Sequence, residues 1–359
     1  MSESGEGATD DPLLTDVLAD RLGFAWLSAR LPWAVPPLYL YAGAFVFLDL
    51  GVVNTYLHLF TDRSHAFLAN PFTLAIPAFV VTAATGVRYM ASSYRDAVDD
   101  LRLGERSDAG DVPFASFTAS FRTTAALYAV VVAGYWGYLA WQGMGEYVGS
   151  LGAGPTAVIG LVVYPLGFIP VAVQFVVLFA SIHVLLPKRI AELRPKPAFL
   201  DPRDLGGFYP VGELLKRSYY LYTACLLLYL AYVYGPVLAP LGIDTIADVG
   251  APQAAYFTFL WLFGLAAIGN SVYRIHRVMA DEKEAQLRRL EDQLHDIVDD
   301  PYDISTADLH DNREFENVQR RLEQVRAMNA YPTTAFASTQ ILVSVLVPQL
   351  TQVALEAGL

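Results

Sequence analysis

Six long apolar stretches constrain this chain more than any other feature of its sequence. A bilayer core about 30 Å thick requires about 20 helical residues. The stretches are long enough, or nearly so, and run roughly over residues 37–60, 70–91, 124–141, 155–187, 219–241 and 254–273. A seventh stretch, 332–355, is apolar but contains Thr, Ser and Gln, which suits a helix that faces protein. The pattern predicts an all-α, polytopic membrane protein with seven transmembrane helices.

The positive charges predict how these spans are oriented. If the N-terminus lies inside, 22 of the 24 Lys and Arg residues fall on cytoplasmic segments. Of the other two, Arg88 lies at the inner end of the second span and Arg63 follows the first span on the outside. Cytoplasmic loops carry the excess of Lys and Arg in multi-pass proteins. We therefore expect a cell-membrane protein with its N-terminus inside and, after seven spans, its C-terminus outside.

Composition agrees with a membrane protein and excludes one class of partner. Charged residues make up 17% of the chain, against about 25% in soluble proteins. The net charge is −12, which excludes nucleic acid as a partner because phosphate binding needs clustered cations. Only four residues are Lys whereas 36 are Asp or Glu. This balance is typical of proteins from a high-salt cytoplasm and predicts a halophilic, archaeal source.

The predicted spans divide the chain into four regions. Residues 1–36 form an acidic tail and, over 13–35, an amphipathic helix on the inner membrane surface. Residues 37–279 form a six-helix membrane domain. Within 280–331, two apolar stripes at helical spacing, separated by turn-forming residues, predict a cytoplasmic helical hairpin. Residues 332–359 contain the seventh helix.

Among the polar side chains inside the predicted spans, six are singled out as candidates, namely Asp49, Asn54, His58, Gln174, His183 and Asn270. A carboxylate within a membrane usually faces a cavity or a partner and marks an ion or proton path. Asp49 with His58 is therefore a candidate pair for a coupled transporter. Hydrogen bonding between helices is the default interpretation for Gln174, His183 and Asn270, and it is the alternative interpretation for Asp49. The spacing of His58, Asp62 and His65 also suits metal ligands, but a solvated interface is the favoured interpretation, and no metal is predicted.

Sequence motifs of enzymes are absent. The chain contains no Walker loop, GxGxxG, HExxH, GxSxG or CxxC motif, and these are the patterns that carry nucleotide, zinc or nucleophile chemistry. No Lys follows Lys283, which excludes a retinal Schiff base in the last span. The sequence therefore predicts a protein that is not an enzyme and needs no cofactor.

The seventh stretch carries one polar face on a helix that is otherwise apolar. A helix of this kind lines a water-filled path, with aliphatic residues narrowing the path into a gate. The alternative is a polar seam packed against neighbouring helices. The residues predicted to line a pore are Gln340, Ser344, Val347 and Thr351.

The start of the same stretch carries a family resemblance. Thr333, Thr334, the five residues AFAST, Gln340 and Ile341 keep the Thr-to-Gln spacing of a pattern of Thr, Tyr, five apolar residues, Gln and Phe, without its two aromatic positions. Together with the predicted topology, this resembles the seven-transmembrane ion channel superfamily, which includes insect odorant and gustatory receptors. The resemblance implies a homotetramer with a central cation pore lined by the last helices. It also implies subunit contacts through the cytoplasmic extensions and a small-molecule pocket in the outer half.

Three functions are consistent with these features. The leading expectation is a homotetrameric ion channel in the cell membrane, gated by a ligand or another stimulus. The first alternative is a proton- or ion-coupled transporter that uses Asp49 and His58. The second is a membrane sensor or scaffold that signals through the hairpin in 280–331.

Overall fold

The regular secondary structure of the described residues is entirely helical. The computed structural model describes residues 12–33, 35–61, 71–107, 113–141, 145, 148–149, 152–201, 203, 205–238, 251–297 and 312–331, and none of these lies in a β-strand. The main helices are α1 (Leu14–Arg21), α2 (Phe24–Ser28), α3 (Pro37–Phe60), α4 (Ala75–Asp100), α5 (Phe121–Trp141), α6 (Ala153–Leu193), α7 (Tyr209–Leu238), α8 (Ala251–Ile297) and α9 (Asn312–Ala327). The predicted all-α class is therefore confirmed.

Several of these helices are suited to a multi-pass membrane protein. Five helical segments are long and apolar enough to cross a membrane: Pro37–Phe60, Pro71–Arg106, Phe121–Trp141, Ala153–Leu193 and Ala255–Ile297. The predicted fifth span falls in α7, a 30-residue helix that is not among these five. The predicted seventh span lies outside the described residues. The part of the chain that the structure describes thus contains five possible spans, and seven remains a prediction.

Large apolar side chains cover the outside of the bundle. On α5, Val130 is 68% exposed and Trp141 is 81% exposed, and Phe259 on α8 is 64% exposed. Apolar surface of this extent is unfavourable in water and marks a membrane or protein contact. The outward faces of these helices therefore suit contact with lipid.

Helix α4 lies at the centre of the bundle and packs along both α6 and α7. Its residues Val87, Met90 and Tyr94 are fully buried. Close approach to α6 depends on Gly86, because a Cβ atom there would lie 2.6 Å from the Phe175 ring. Small residues permit this kind of contact between membrane helices.

Helix α6 contains prolines whose missing amides are replaced by side chains of other helices. Pro165 lies in a π-helical segment, Ile159–Phe168, in which each amide would bond to the carbonyl five residues earlier. Proline has no N–H, so the carbonyl of Gly160 loses that donor. The indole Nε1 of Trp136 on α5 donates to this oxygen instead, at 3.3 Å.

The same exchange occurs one turn further along α6. Pro170 supplies no amide to the carbonyl of Leu166, its α-helical acceptor. The hydroxyl of Tyr41 on α3 donates to the Leu166 oxygen. A buried carbonyl without a donor is costly in lipid, so these side chains both satisfy α6 and tie it to its neighbours.

The region predicted as one inner-surface helix forms two short helices with different surroundings. Helix α1 packs into the bundle, with Thr15 and Ala19 fully buried. The amide of Leu14 donates to Oε1 of Gln174 on α6 at 2.8 Å. Helix α2 keeps the exposed character that was predicted, because Trp26 is 59% exposed.

A second, smaller core lies between α8 and α9. Helix α8 is unbroken over 47 residues, so the apolar sixth predicted span and the first arm of the hairpin are one helix. Helix α9 packs against the far part of α8. The buried residues of this core are Leu290, Ile297, Val318, Leu322 and Val325, the positions of the two apolar stripes.

Arg106, just after α4, bonds to the connection between α6 and α7. Its Nη2 donates to Gly206 O at 2.7 Å, its Nε to Lys196 O at 2.9 Å and its Nη1 to Gly207 O at 3.3 Å. Gly206 and Gly207 have φ of +60° and +77°, a region that favours glycine. These bonds fix the α6–α7 connection against the end of α4.

Candidate functional site

A buried polar cluster surrounds His183, where α6, α7 and α8 meet. The His183 cluster consists of His183, Ser218, Asn270 and Ser271. The ring Nδ1 lies 3.2 Å from Ser271 Oγ, and Nε2 lies 3.0 Å from Ser218 Oγ. His183, Ser218 and Ser271 are each 0% exposed. Hydrogen bonding between helices, the predicted default for His183 and Asn270, is therefore what the structure contains.

Local backbone geometry explains why Asn270 belongs to this cluster. His183 lies in a π-helical segment, Ser181–Leu185, and Pro187 follows it. In α-helical register, the amide of Pro187 would bond to His183 O, but proline has no N–H. Asn270 Nδ2 donates to that oxygen at 3.3 Å, and Asn270 Oδ1 accepts from Arg274 Nε at 2.8 Å.

Aromatic rings cover the remaining faces of the histidine. The Phe179 ring is 4.3 Å from the His183 ring and stacks on Tyr222, also at 4.3 Å. The hydroxyl of Tyr222 donates to Leu260 O at 2.6 Å. The imidazole is thus enclosed by two hydroxyl groups and an aromatic surface. It has the hydrogen-bonding partners to exchange protons with serine hydroxyls but no described carboxylate bonded to it.

Asp49 and His58, the candidate transporter pair, are not brought together. Asn54 Nδ2 donates to Asp49 O at 3.0 Å and to Asp49 Oδ1 at 3.3 Å. Both residues lie in the π-helical segment Phe47–Asn54 of α3, and Asn54 is buried while Asp49 is half-buried. His58 is exposed near the end of α3. Asn54 therefore supports the wide helical turn around Asp49.

Gln174 borders a small cavity between α4, α5 and α6. The cavity measures about 30 Å³, and its polar lining includes Tyr94, Arg95, Thr124 and Ser181. This volume is room for about two water molecules. Because Gln174 also accepts the Leu14 amide, α1 closes one side of the cavity.

A second polar site joins α8 to the segment 326–331, which contains the end of α9 and the residues after it. The ammonium of Lys283 donates to Arg326 O at 2.9 Å and to Met328 O at 2.6 Å. His276 Nδ1 lies 2.9 Å from Ala330 O and donates to it. Met328 is buried, and its Sδ would be 3.0 Å from a Cβ atom on Gly206. The last described turn of the chain is therefore held against α8.

Several predicted residues lie outside the described residues. These are the pore candidates Gln340, Ser344, Val347 and Thr351, together with Asp62 and His65. Among the described residues, no group of three His, Cys, Asp or Glu side chains is placed to hold a metal ion.

Sequence reasoning missed the partners of the predicted polar residues. Ser218, Ser271 and Lys283 carry no motif. One signal was present in the sequence. Pro187 lies four residues after His183 and has no N–H, which predicts that the His183 carbonyl must accept a hydrogen bond from another group. Comparison of the chain with protein-family models, with curated proteins and with solved structures found no match.

Proposed function

We propose that the chain assembles into a homo-oligomeric, stimulus-gated ion channel in the cell membrane. The expected assembly is a tetramer with a central ion pore, and the predicted seventh span, 332–355, lines this path of the ions. In this proposal Gln340 and Ser344 face the water, and Val347 narrows the path. The stimulus, a small-molecule ligand or another signal, acts on the part of each subunit outside the path.

One observation carries this proposal: α8 is bonded to the end of the hairpin, directly before the predicted seventh span. Helix α8 runs without a break from the membrane-length segment into the hairpin. Lys283 and His276 on α8 then bond to carbonyls of 326–331. A displacement of the hairpin therefore reaches Tyr331 by two routes: through the bonds from α8 and along the chain from α9. Gating transitions commonly use such coupled helix shifts.

Packing inside the described bundle also favours a path between subunits. Side chains of α4, α6 and α7 form one continuous core, and the cavity beside Gln174 holds only about 30 Å³. That volume suits isolated water molecules and not a hydrated ion path. An ion path between subunits, around the symmetry axis of the oligomer, needs no opening through the core of each subunit.

The two alternatives receive different support. A transporter that uses Asp49 and His58 is disfavoured, because Asp49 is bonded to Asn54 and His58 is exposed away from it. A sensor or scaffold would use the same hairpin, whose outer surface is rich in charged side chains. Ion flux separates this alternative from the channel.

Cross-linking tests the shared axis, and flux tests conduction. Cys225 is the only cysteine, so Cys225→Ala gives a thiol-free background for Ser344→Cys or Val347→Cys. Oxidation in native membranes should cross-link subunits at these positions, and the control Val81→Cys, on the exposed face of α4, should not. Ion flux into liposomes that contain the wild-type chain should follow. An intact oligomer without either cross-link would contradict the central path, and cross-linking without flux under any stimulus would favour the scaffold.

A further inference from the structure

His183 has no role in the proposed channel, yet it is a titratable group enclosed at the contact of three helices. The ring is 0% exposed, and its two nitrogens face serine hydroxyls on two different helices. The directions of these two hydrogen bonds therefore depend on whether the ring carries one hydrogen or two.

Each serine has a single hydroxyl hydrogen, which can go either to a carbonyl of its own helix or to the ring. Ser218 Oγ lies 2.8 Å from Leu214 O, and Ser271 Oγ lies 2.8 Å from Ile268 O. Carbonyl oxygens only accept, so both serines are donors when these bonds form. Both ring nitrogens must then donate to the serines, and only the protonated imidazole has two N–H groups. With a neutral ring, one serine must turn its hydrogen from its own helix to the ring.

We propose that His183 is a proton-binding site whose occupancy controls the packing of α6 against α7 and α8. The neutral ring accepts a hydrogen bond from one serine and so joins that helix to α6. Proton uptake reverses this bond and places a positive charge among apolar groups, which is costly without a counter-ion. The close packing of α6 against α7 and α8 is therefore most stable when the ring is neutral. Acidification favours a state in which water reaches the ring.

The groups around the ring support this direction. On α7, Tyr222 stacks on Phe179, whose ring covers the imidazole, and Glu213 is paired with Lys216 and Arg217. On α4, the hydroxyl of Tyr94 donates to Phe117 O and Ser181 O. On α8, Arg274 is linked to the His183 carbonyl through Asn270, which adds a positive charge to this side. Among the described residues, no carboxylate is bonded to the ring, so none stabilises a second positive charge on the imidazole.

The consequence reaches the hairpin through α8. Ser271 and Leu290 lie on the same unbroken helix, about 28 Å apart at about 1.5 Å per residue. A shift of Ser271 relative to α6 is therefore carried to the α8–α9 core. This inference concerns packing and does not depend on ion conduction.

The test uses the whole chain in lipid bilayers. Its six histidines are labelled with ¹⁵N, and ring protonation is followed by solid-state NMR between about pH 8 and about pH 2, a range that extends well below the ordinary histidine range. The His183 signal is the one lost in His183→Gln, whose amide bonds to serines but does not titrate. We expect this signal to change from neutral to protonated on acidification.

Packing is measured in the same samples through Cys225, the single thiol, which lies buried on α7. Its reaction with dithiodipyridine should accelerate over the same pH interval by up to about tenfold per pH unit, the slope for uptake of one proton. The pH dependence of the reagent itself is measured on the exposed position Ser92→Cys in the Cys225→Ala background.

Three results would overturn the proposal. They are a His183 signal that stays in one form, a Cys225 rate that does not follow it, and the same rate increase in His183→Gln. If His183→Gln fails to fold, Ser271→Ala replaces it. Loss of this acceptor should move the protonation of His183 and the Cys225 transition together to lower pH, and separate movement would contradict the coupling.

Discussion

The imidazole of His276 lies face to face with the ring of Tyr331, with centroids 4.0 Å apart and planes within 9° of parallel. His276 belongs to α8, and Tyr331 is the last described residue before the predicted seventh span. The contact therefore joins the helix that carries the hairpin to the segment that this helix is proposed to control.

Replacement of Tyr331 should loosen this segment without unfolding the bundle. An aromatic pair contributes about 0.5–1.5 kcal/mol beyond buried area, so Tyr331→Ala should raise local amide exchange in 326–331 by about 2- to 10-fold. Hydrogen–deuterium exchange with mass spectrometry measures this. Tyr331→Phe keeps the stacked ring and should exchange like the wild type. Equal exchange in the two variants would show that the ring contact does not hold the segment.

Lys283 should stabilise the end of α9 through its two carbonyl acceptors. Lys283→Met keeps an apolar stem of similar length and removes both bonds, which should cost about 1–2 kcal/mol at this partly exposed site. Faster proteolysis after α9 is the expected result. The control is Arg288→Gln, which breaks an exposed pair with Glu284 on the same helix and should change little. Equal sensitivity of both variants would argue against a specific role of Lys283.

Gly206 should be intolerant of a side chain for two separable reasons. Gly206→Ala combines a φ of +60° with a Cβ atom 3.0 Å from Met328 Sδ and 3.2 Å from Pro197 Cβ. We expect destabilisation of about 1–3 kcal/mol in thermal unfolding. Adding Met328→Ala should recover about 0.5–1 kcal/mol of the expected sum.

A control for the Gly206 variants is Gly134→Ala on α5, where a Cβ atom meets nothing within 4 Å. This change should be neutral or stabilising, because Ala is the better helix former. Strict additivity of Gly206→Ala and Met328→Ala would contradict the contact between the α6–α7 loop and the end of α9.

Trp136 should stabilise α6 through its indole N–H and not only through its area. Trp136→Phe removes the donor to Gly160 O and should cost about 1 kcal/mol in thermal unfolding. Trp141→Phe on the same helix changes a side chain that is 81% exposed and should have a smaller effect. The substitution of Pro165 by Ala should reduce the cost of Trp136→Phe, because the backbone amide then returns. If Trp136→Phe cost the same free energy of unfolding in the Pro165→Ala background, the indole N–H would not be the replacement for the missing proline amide.

The long helices were predictable because their signal is local. Apolar residues over about 20 positions predict a span wherever the rest of the chain lies, and the stripe from Leu287 to Ile297 faces α9 as its spacing indicates. Helix α1 illustrates the limit of this signal. The same apolar face suits lipid or protein, and only the acceptor on Gln174 and the space beside α6 decide that α1 packs inside.

The His183 cluster was only half predictable for a related reason. His183 and Asn270 stand out as polar groups within apolar stretches, but Ser218 and Ser271 are common residues near the ends of theirs. Which serine meets the ring depends on the rotation of α7 and α8 about their axes, and that rotation is set by the packing of the whole bundle. Sequence spacing alone contains no information about it.

The bonds of Arg106 also impose an order on biosynthesis. Its acceptors Lys196, Gly206 and Gly207 follow it by 90 to 101 residues. At about 5–20 residues per second, a ribosome needs about 5–20 s to supply them. Throughout that interval α4 and α5 must keep their places without these bonds. The loop is closed only once the connection after α6 has been made, so the translation of that connection sets the earliest moment at which these bonds form.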